Sequence, residues 1–265
     1  MNPQITSIHN THVQQVRALL NQKSARTETG LFIVEGVRLA EEALASGRRP
    51  AQAFFCQSVS ERGKKLVDSI TALGVEVIEL SSSVMESLSD TETSQGILLA
   101  MPQVTEQVPP QTDFALILDQ LRDPGNLGTI LRSAAAAGVK VVFLPPGTTD
   151  AFAPKVVRSG MGAHFRLSIH SLGWPEIRRF CKETNQPALN LLLAESGSEN
   201  PCWQANLRAP LALIIGGEAD GASTEAHLAA DGVINIPMPG QFESLNAAVA
   251  AGILIFEVVR QRSQL

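Results

Sequence analysis

The sequence predicts an α/β protein built on a mainly parallel sheet, with a smaller α/β unit in front of it. Three observations predict this. Continuous apolar runs such as "FALILD" (114–119) have the character of strands covered on both faces. Such runs alternate with helical patterns along the chain, as parallel sheets require. A proline-containing stretch without periodicity, "MPQVTEQVPPQTD" (101–113), separates two such series and reads as a linker. The boundaries are 1–101 for the first unit, 102–113 for the linker and 114–265 for the second unit.

In the first unit, "THVQQVRALLNQ" (11–22) sets Val13, Val16 and Leu20 at helical spacing behind Asn10, a suitable cap. "LFIVEG" (31–36) reads as a strand, followed by a helix through Ala45 that stops near Gly47. "AQAFFCQ", "SERGKKLVDSITALG" and "VEVIEL" repeat the alternation, and "GILLAMP" closes it. In the second unit, "FALILD" passes through the polar loop "QLRDPGN" into a helix that runs to about Ala137, with Gly138 placed to end it. "VKVVFLP" (139–145), "ALNLLLAE" (188–195), "PLALIIGGE" (210–218) and "GVINIPM" (232–238) are the later strands. The charge-free run from Ala247 to Phe256 is a helix with both faces covered, and Ser244 and Asn246 stand at its mouth as caps.

Bulk properties bound the function. The chain has 265 residues, 44% of them hydrophobic and 18% charged, as in ordinary globular proteins. A net charge of −5 argues against nucleic-acid binding through bulk charge but allows local basic patches. Cys56, Cys181 and Cys202 form no paired motif and read as reduced core residues; metal ligation has no support. The N-terminus lacks a signal pattern, and no uncharged apolar stretch reaches the roughly 18–20 residues that span a bilayer, so a cytoplasmic protein without a membrane partner is expected.

Ligands of parallel α/β sheets bind beyond the carboxyl ends of the strands. There the sequence places Arg122, Asp123, Gly125, Asn126 and Gly128 after one strand, Glu218, Asp220 and Gly221 after another, and Gly240, Glu243, Ser244 and Asn246 after a third. The phosphate loop GxxxxGK[ST] is absent, and "GMGAHF" (160–165) lacks the third glycine of a dinucleotide fingerprint, which disfavours a dinucleotide-dependent oxidoreductase. Arg132 stands out in the alanine-rich "NLGTILRSAAAAG" (126–138). Its side chain leans toward the helix start, where anions bind, and an ion pair with Asp119 or Asp123 is the alternative.

"NLGTILRSAAAAG", "LIIGGEADG" and "INIPMPGQFESLNAAVAAGILIFEVVRQR" resemble, in order, the three motifs of the TrmH/SpoU group of RNA ribose 2′-O-methyltransferases in the SPOUT superfamily. The first unit, with "RTETGLFIVEGVRLAEEAL" (26–44), is similar to the family's L30e-like RNA-binding domain. The resemblance implies a SPOUT domain whose C-terminal segment forms a trefoil knot, S-adenosyl-L-methionine (SAM) as methyl donor, and a homodimer with active sites near the subunit interface. It implies an RNA substrate, ribosomal rather than transfer RNA. It places Asn126, Arg132, Glu218, Ser244 and Asn246 in the catalytic motifs and Gly216, Ile236, Met238 and Leu245 around the cofactor. Arg132 suits an anchor for phosphate or hydroxyl better than a general base, because a guanidinium stays protonated at neutral pH. Arg26 and Arg158 are candidate RNA contacts, with ordinary ion pairs as the alternative. A non-catalytic RNA-binding protein of the same fold is the competing reading.

Overall fold

The computed structural model describes residues 4–89, 94–103, 108–218, 221–240 and 243–263. It divides into two compact units: residues 1–103 with 152–165, and residues 104–151 with 166–265.

The first unit contains α1 (Thr11–Asn21), α2 (Lys23–Thr29), β1 (Leu31–Glu35), α3 (Val37–Ala45), β2 (Gln52–Phe55), α4 (Glu61–Ala72), β3 (Glu76–Glu79), α5 (Ser82–Leu88) and β4 (Ile97–Pro102). Its sheet order is β1-β4-β2-β3, with β4 antiparallel to both neighbours and β2 parallel to β3. Strand alternation sorts the side chains between two cores. Phe32, Val34, Leu99 and Met101 join residues of α3 and α4, whereas Ile33, Leu98 and Ala100 join residues of α1 and α5. Asn10 caps α1 as its sequence suggests, accepting from the His12 amide at 2.9 Å.

Residues 152–165, which the sequence reading keeps within 114–265, pack with this first unit. The reason is aromatic burial: Phe152 and Phe165 lie 5.1 and 6.3 Å from Phe32 between ring centroids, and Val157 fills the same core. The segment contains α7 (Pro154–Gly160).

The second unit contains β5 (Phe114–Leu118), α6 (Pro124–Ala136), β6 (Val141–Leu144), β7 (Ser168–Ser171), α8 (Trp174–Arg179), a π-turn at Phe180–Thr184, β8 (Asn190–Ala194), β9 (Leu211–Ile215), α9 (Thr224–Ala229), β10 (Gly232–Ile234) and α10 (Ala247–Arg262). All five strand pairings are parallel, in the order β10-β8-β9-β5-β6-β7. Every residue of β5, β6 and β9 is buried, which explains their unbroken apolar character. Residues of α8, the π-turn and α9 close one core with the sheet. On α10, Ala247, Ala248, Ala251, Leu254, Ile255 and Val258 are buried, and the helix contacts α6 and β9.

The linker is anchored at both described ends. Gln103 donates to the main-chain oxygens of Gly30 and Arg26, and Thr112 exchanges two 2.8 Å hydrogen bonds with the buried Asn185 side chain. The C-terminal end of α10 is held by Arg262, which bonds Asp113, Leu207 and Ala209 and stacks its guanidinium 5.3 Å over Phe114. The three cysteines are buried and free.

Candidate functional site

The parallel sheet delivers β5, β8, β9 and β10 with their carboxyl ends on one edge, and the loops leaving them carry the polar residues. After β5 the chain turns through Gln120, whose φ of 57° is unusual for a residue with a side chain. The reason for the tight course is the loop after β9. A Cβ on Gly217 would stand 2.3 Å from the Gln120 carbonyl oxygen, so only glycine lets the two loops meet. Gly216 is required differently. Its missing Cβ faces the Ala222 amide nitrogen at 2.7 Å, because the loop folds back and Gly217 donates to the Gly221 oxygen at 3.0 Å. The family resemblance places this glycine at the cofactor; its own loop also demands it.

Three loops are then joined by one hydrogen-bonded relay. Asn126, in the first turn of α6, donates from Nδ2 to Glu218 Oε1 at 2.8 Å, and its Oδ1 accepts from Asn246 Nδ2 at 3.0 Å. The Asn246 Oδ1 caps α10, accepting from the amides of Ala248 and Val249 at 2.9 and 3.3 Å. Glu218 Oε2 receives the Arg122 amide at 3.5 Å. Asn126 therefore spends its donor and its acceptor on two different loops, and Asn246 joins Asn126 to the start of its own helix. Ser244 does not share the capping role expected of it; it is exposed and makes no hydrogen bond among the described residues.

Beside the relay lies a cavity of about 600 Å³, within the range of small-molecule sites. All four residues expected around the cofactor, Gly216, Ile236, Met238 and Leu245, line it, as do Glu218, Ser244 and Asn246. Asn126 reaches it through its bonds to Glu218 and Asn246. A mixed lining of small, apolar and carboxylate groups fits a flat heterocycle carrying hydroxyls and a positive centre. The residues fit SAM. Sequence reading missed Ala194, Glu195 and Ser196, which enter from the end of β8. The strand-end rule could have found them, since "ALNLLLAE" was read as a strand without its loop being collected. Asp220 falls outside the described residues.

Other expectations need correction. Arg132 lies more than two turns beyond Pro124, about 12 Å along the axis. It does not join the helix start, where Asp123 already caps by accepting the Asn126 amide at 2.7 Å. Nor does Arg132 pair with Asp119 or Asp123; it is exposed, with no hydrogen bond or ion pair among the described residues. Arg26 is buried and donates to the Leu19 and Leu20 carbonyls at the end of α1, so its charge serves the helix terminus and not an RNA phosphate. Arg158 lies 3.9 Å from the buried Glu35 carboxylate, the ion pair its sequence context left open. No group of three or more metal-ligating side chains occurs among the described residues. Burial pushes the Cys181 thiol up to about 12 and the Cys202 thiol to about 11, so neither is a thiolate nucleophile at neutral pH.

The model of the SpoU rRNA Methylase family matches residues 113–256, and that of the MRM3-like substrate binding domain matches residues 10–99. The 23S rRNA (guanosine(2553)-2′-O)-methyltransferase RlmP of Bacillus subtilis is 32% identical over 255 residues, covering 96% of this chain and 98% of its own. The mitochondrial rRNA methyltransferase 3 of Homo sapiens is 33% identical, covering 94% of this chain and 72% of its own. The crystal structure of an AdoMet-bound rRNA methyltransferase from Sinorhizobium meliloti superposes with a TM-score of 0.85 at 29% identity, covering 98% of both chains.

The Gly217→Ala substitution is expected to destabilise the second unit by about 1–3 kcal/mol through overpacking against main chain. Thermal unfolding of the variant checks this; an unchanged midpoint means that the two loops do not meet as described.

Proposed function

The chain belongs to the SpoU rRNA methylase family, and on that premise we propose that it transfers a methyl group from SAM to a ribose 2′-hydroxyl of ribosomal RNA. The observation that carries this reading is the convergence of Gly216, Ile236, Met238 and Leu245 on one cavity beside the relay of Glu218, Asn126 and Asn246.

When bound, SAM supplies an electrophilic methyl on a sulfonium. Transfer to the ribose hydroxyl would release S-adenosylhomocysteine and one proton to solvent. The protein's task is alignment, which can lower such barriers by up to roughly 7–11 kcal/mol. Asn126, Glu218 and Asn246 hold the three loops rigid, so that the cavity wall and the approach of the nucleotide keep one geometry. Ser244, exposed at the cavity, presents a hydroxyl to donor or acceptor. Arg132 is available to grip a phosphate of a splayed-out nucleotide, since nothing among the described residues occupies it.

Two further parts of the reading rest on this premise. The C-terminal segment is threaded through a preceding loop, as the family resemblance implies. The protein acts as a homodimer, with a second copy covering the outer stripe of α10. Val249 and Phe256 form that stripe and are 52% and 49% exposed, and Leu245, just before the helix, is 38% exposed. Gly252 lies between them with nothing within 4 Å of an added Cβ. A mid-helix glycine costs roughly 1 kcal/mol against alanine, and packing within the chain gives no reason for it. Close approach of another helix does. Thr129, Arg132 and Ala136 are exposed on one side of α6.

Phe256→Glu is expected to shift the protein from dimer to monomer in light scattering; an unchanged mass removes the α10 stripe from the interface. Methyl transfer from labelled SAM to ribosomal RNA tests the activity, and absence of label favours the non-catalytic RNA-binding alternative. Arg132→Ala is expected to lower transfer about 10²-fold with Lys recovering part of the loss. Equal loss in Lys and Ala, with RNA binding intact, defeats simple charge anchoring.

A further inference from the structure

Of the cavity's carboxylates Glu195, Glu218 and Glu243, Glu195 lies outside the three motifs. It follows β8, and its amide donates to the Ile234 oxygen at 3.0 Å, which fixes its backbone between two strand ends. Its side chain lines the cavity and is 46% exposed. His227 of α9 places Nε2 3.6 Å from Glu195 Oε1, beyond hydrogen-bond distance. The second oxygen, Oε2, has no partner among the described residues. Glu218 differs in this respect, since both of its oxygens already accept hydrogen bonds, from Asn126 and from the Arg122 amide.

Position decides which part of a donor molecule each carboxylate meets. The relay joins the loop after β5 to the loop after β9 and marks the reacting end of the cavity. In the strand order β10-β8-β9-β5, Glu195 leaves the next strand out, about 4.8 Å further from β5. A group held there lies away from the transferred methyl. A carboxylate is an acceptor only, with room for several donors on its two oxygens. Two hydroxyls on neighbouring carbons are the complementary donor pair, and acidic residues after parallel strands bind ribose in this way in other α/β proteins.

We propose that Glu195 recognises the ribose diol of the adenosyl group. The proposal rests on the reading of the cavity as the SAM site. It adds a specificity element from β8 that the three motifs do not contain.

Calorimetry on the full-length protein with SAM, S-adenosylhomocysteine and 5′-methylthioadenosine tests it. Glu195→Gln keeps the shape and removes the charge, and is expected to weaken all three by about tenfold, as loss of a charged acceptor does. The preference of the wild type for adenosine over 2′,3′-dideoxyadenosine is expected to vanish in the variant, while Glu195→Asp retains part of it. Loss confined to SAM assigns Glu195 to the sulfonium and overturns the proposal. Loss for SAM and S-adenosylhomocysteine but not for 5′-methylthioadenosine assigns it to the ammonium and overturns it too. Unchanged affinities, or a diol preference that persists in the variant, do the same. Failure of the wild type to bind SAM at all refutes the underlying reading of the cavity instead, so the two failures stay distinct.

Discussion

The arrangement of the second unit depends on one short relay of hydrogen bonds, from Glu218 through Asn126 to Asn246 and the first amides of α10. It ties together the loops that leave β5 and β9 and the start of the C-terminal helix. An asparagine suits the middle position because its side chain has one donor group and one acceptor, which here bond different loops. Aspartate could not donate to Glu218, and alanine would leave two partners unsatisfied. The amide groups of the relay are close to the surface, so each bond contributes modestly; their joint effect is to remove alternative loop positions rather than to add much stability.

The same economy governs the glycines beside the relay. Gly217 and Gly216 stand where main chain meets main chain, at Gln120 and at Ala222. Contact this close fixes the loop after β9 against the loop after β5. The left-handed Gln120 belongs to this constraint: its conformation is unfavourable alone and is held by the packing around it.

Much of the fold was legible in the sequence. The strands β5, β6, β8 and β9 stand out because both faces are buried, which removes polar alternation and leaves unbroken apolar runs. β7, "SIHS", has a mixed burial pattern and no such run, and it was not anticipated. Residues 152–165 could not be assigned to the first unit from periodicity, because a local pattern carries no information about which distant Phe an aromatic ring will meet. Arg26 illustrates the same limit in reverse. An arginine in a polar stretch resembles a surface phosphate contact, yet seven residues upstream a helix ends with open carbonyls that its guanidinium fills. Gly216, Ile236, Met238 and Leu245, taken from the motifs, line the cavity, whereas Glu195 follows a strand end that carries no motif. Arg132 was singled out correctly as unusual in its helix, but its distance from the helix start follows from where α6 begins, at Pro124 rather than Asn126.

Asn126 and Asn246 act as one unit in shaping the cavity. A double-mutant cycle of Asn126→Ala and Asn246→Ala, read out as SAM affinity, addresses it directly. Coupling of about 1 kcal/mol or more, with the double variant scarcely worse than either single one, is the predicted result. Strictly additive losses would contradict the account, because they would mean that the two side chains shape the cavity independently.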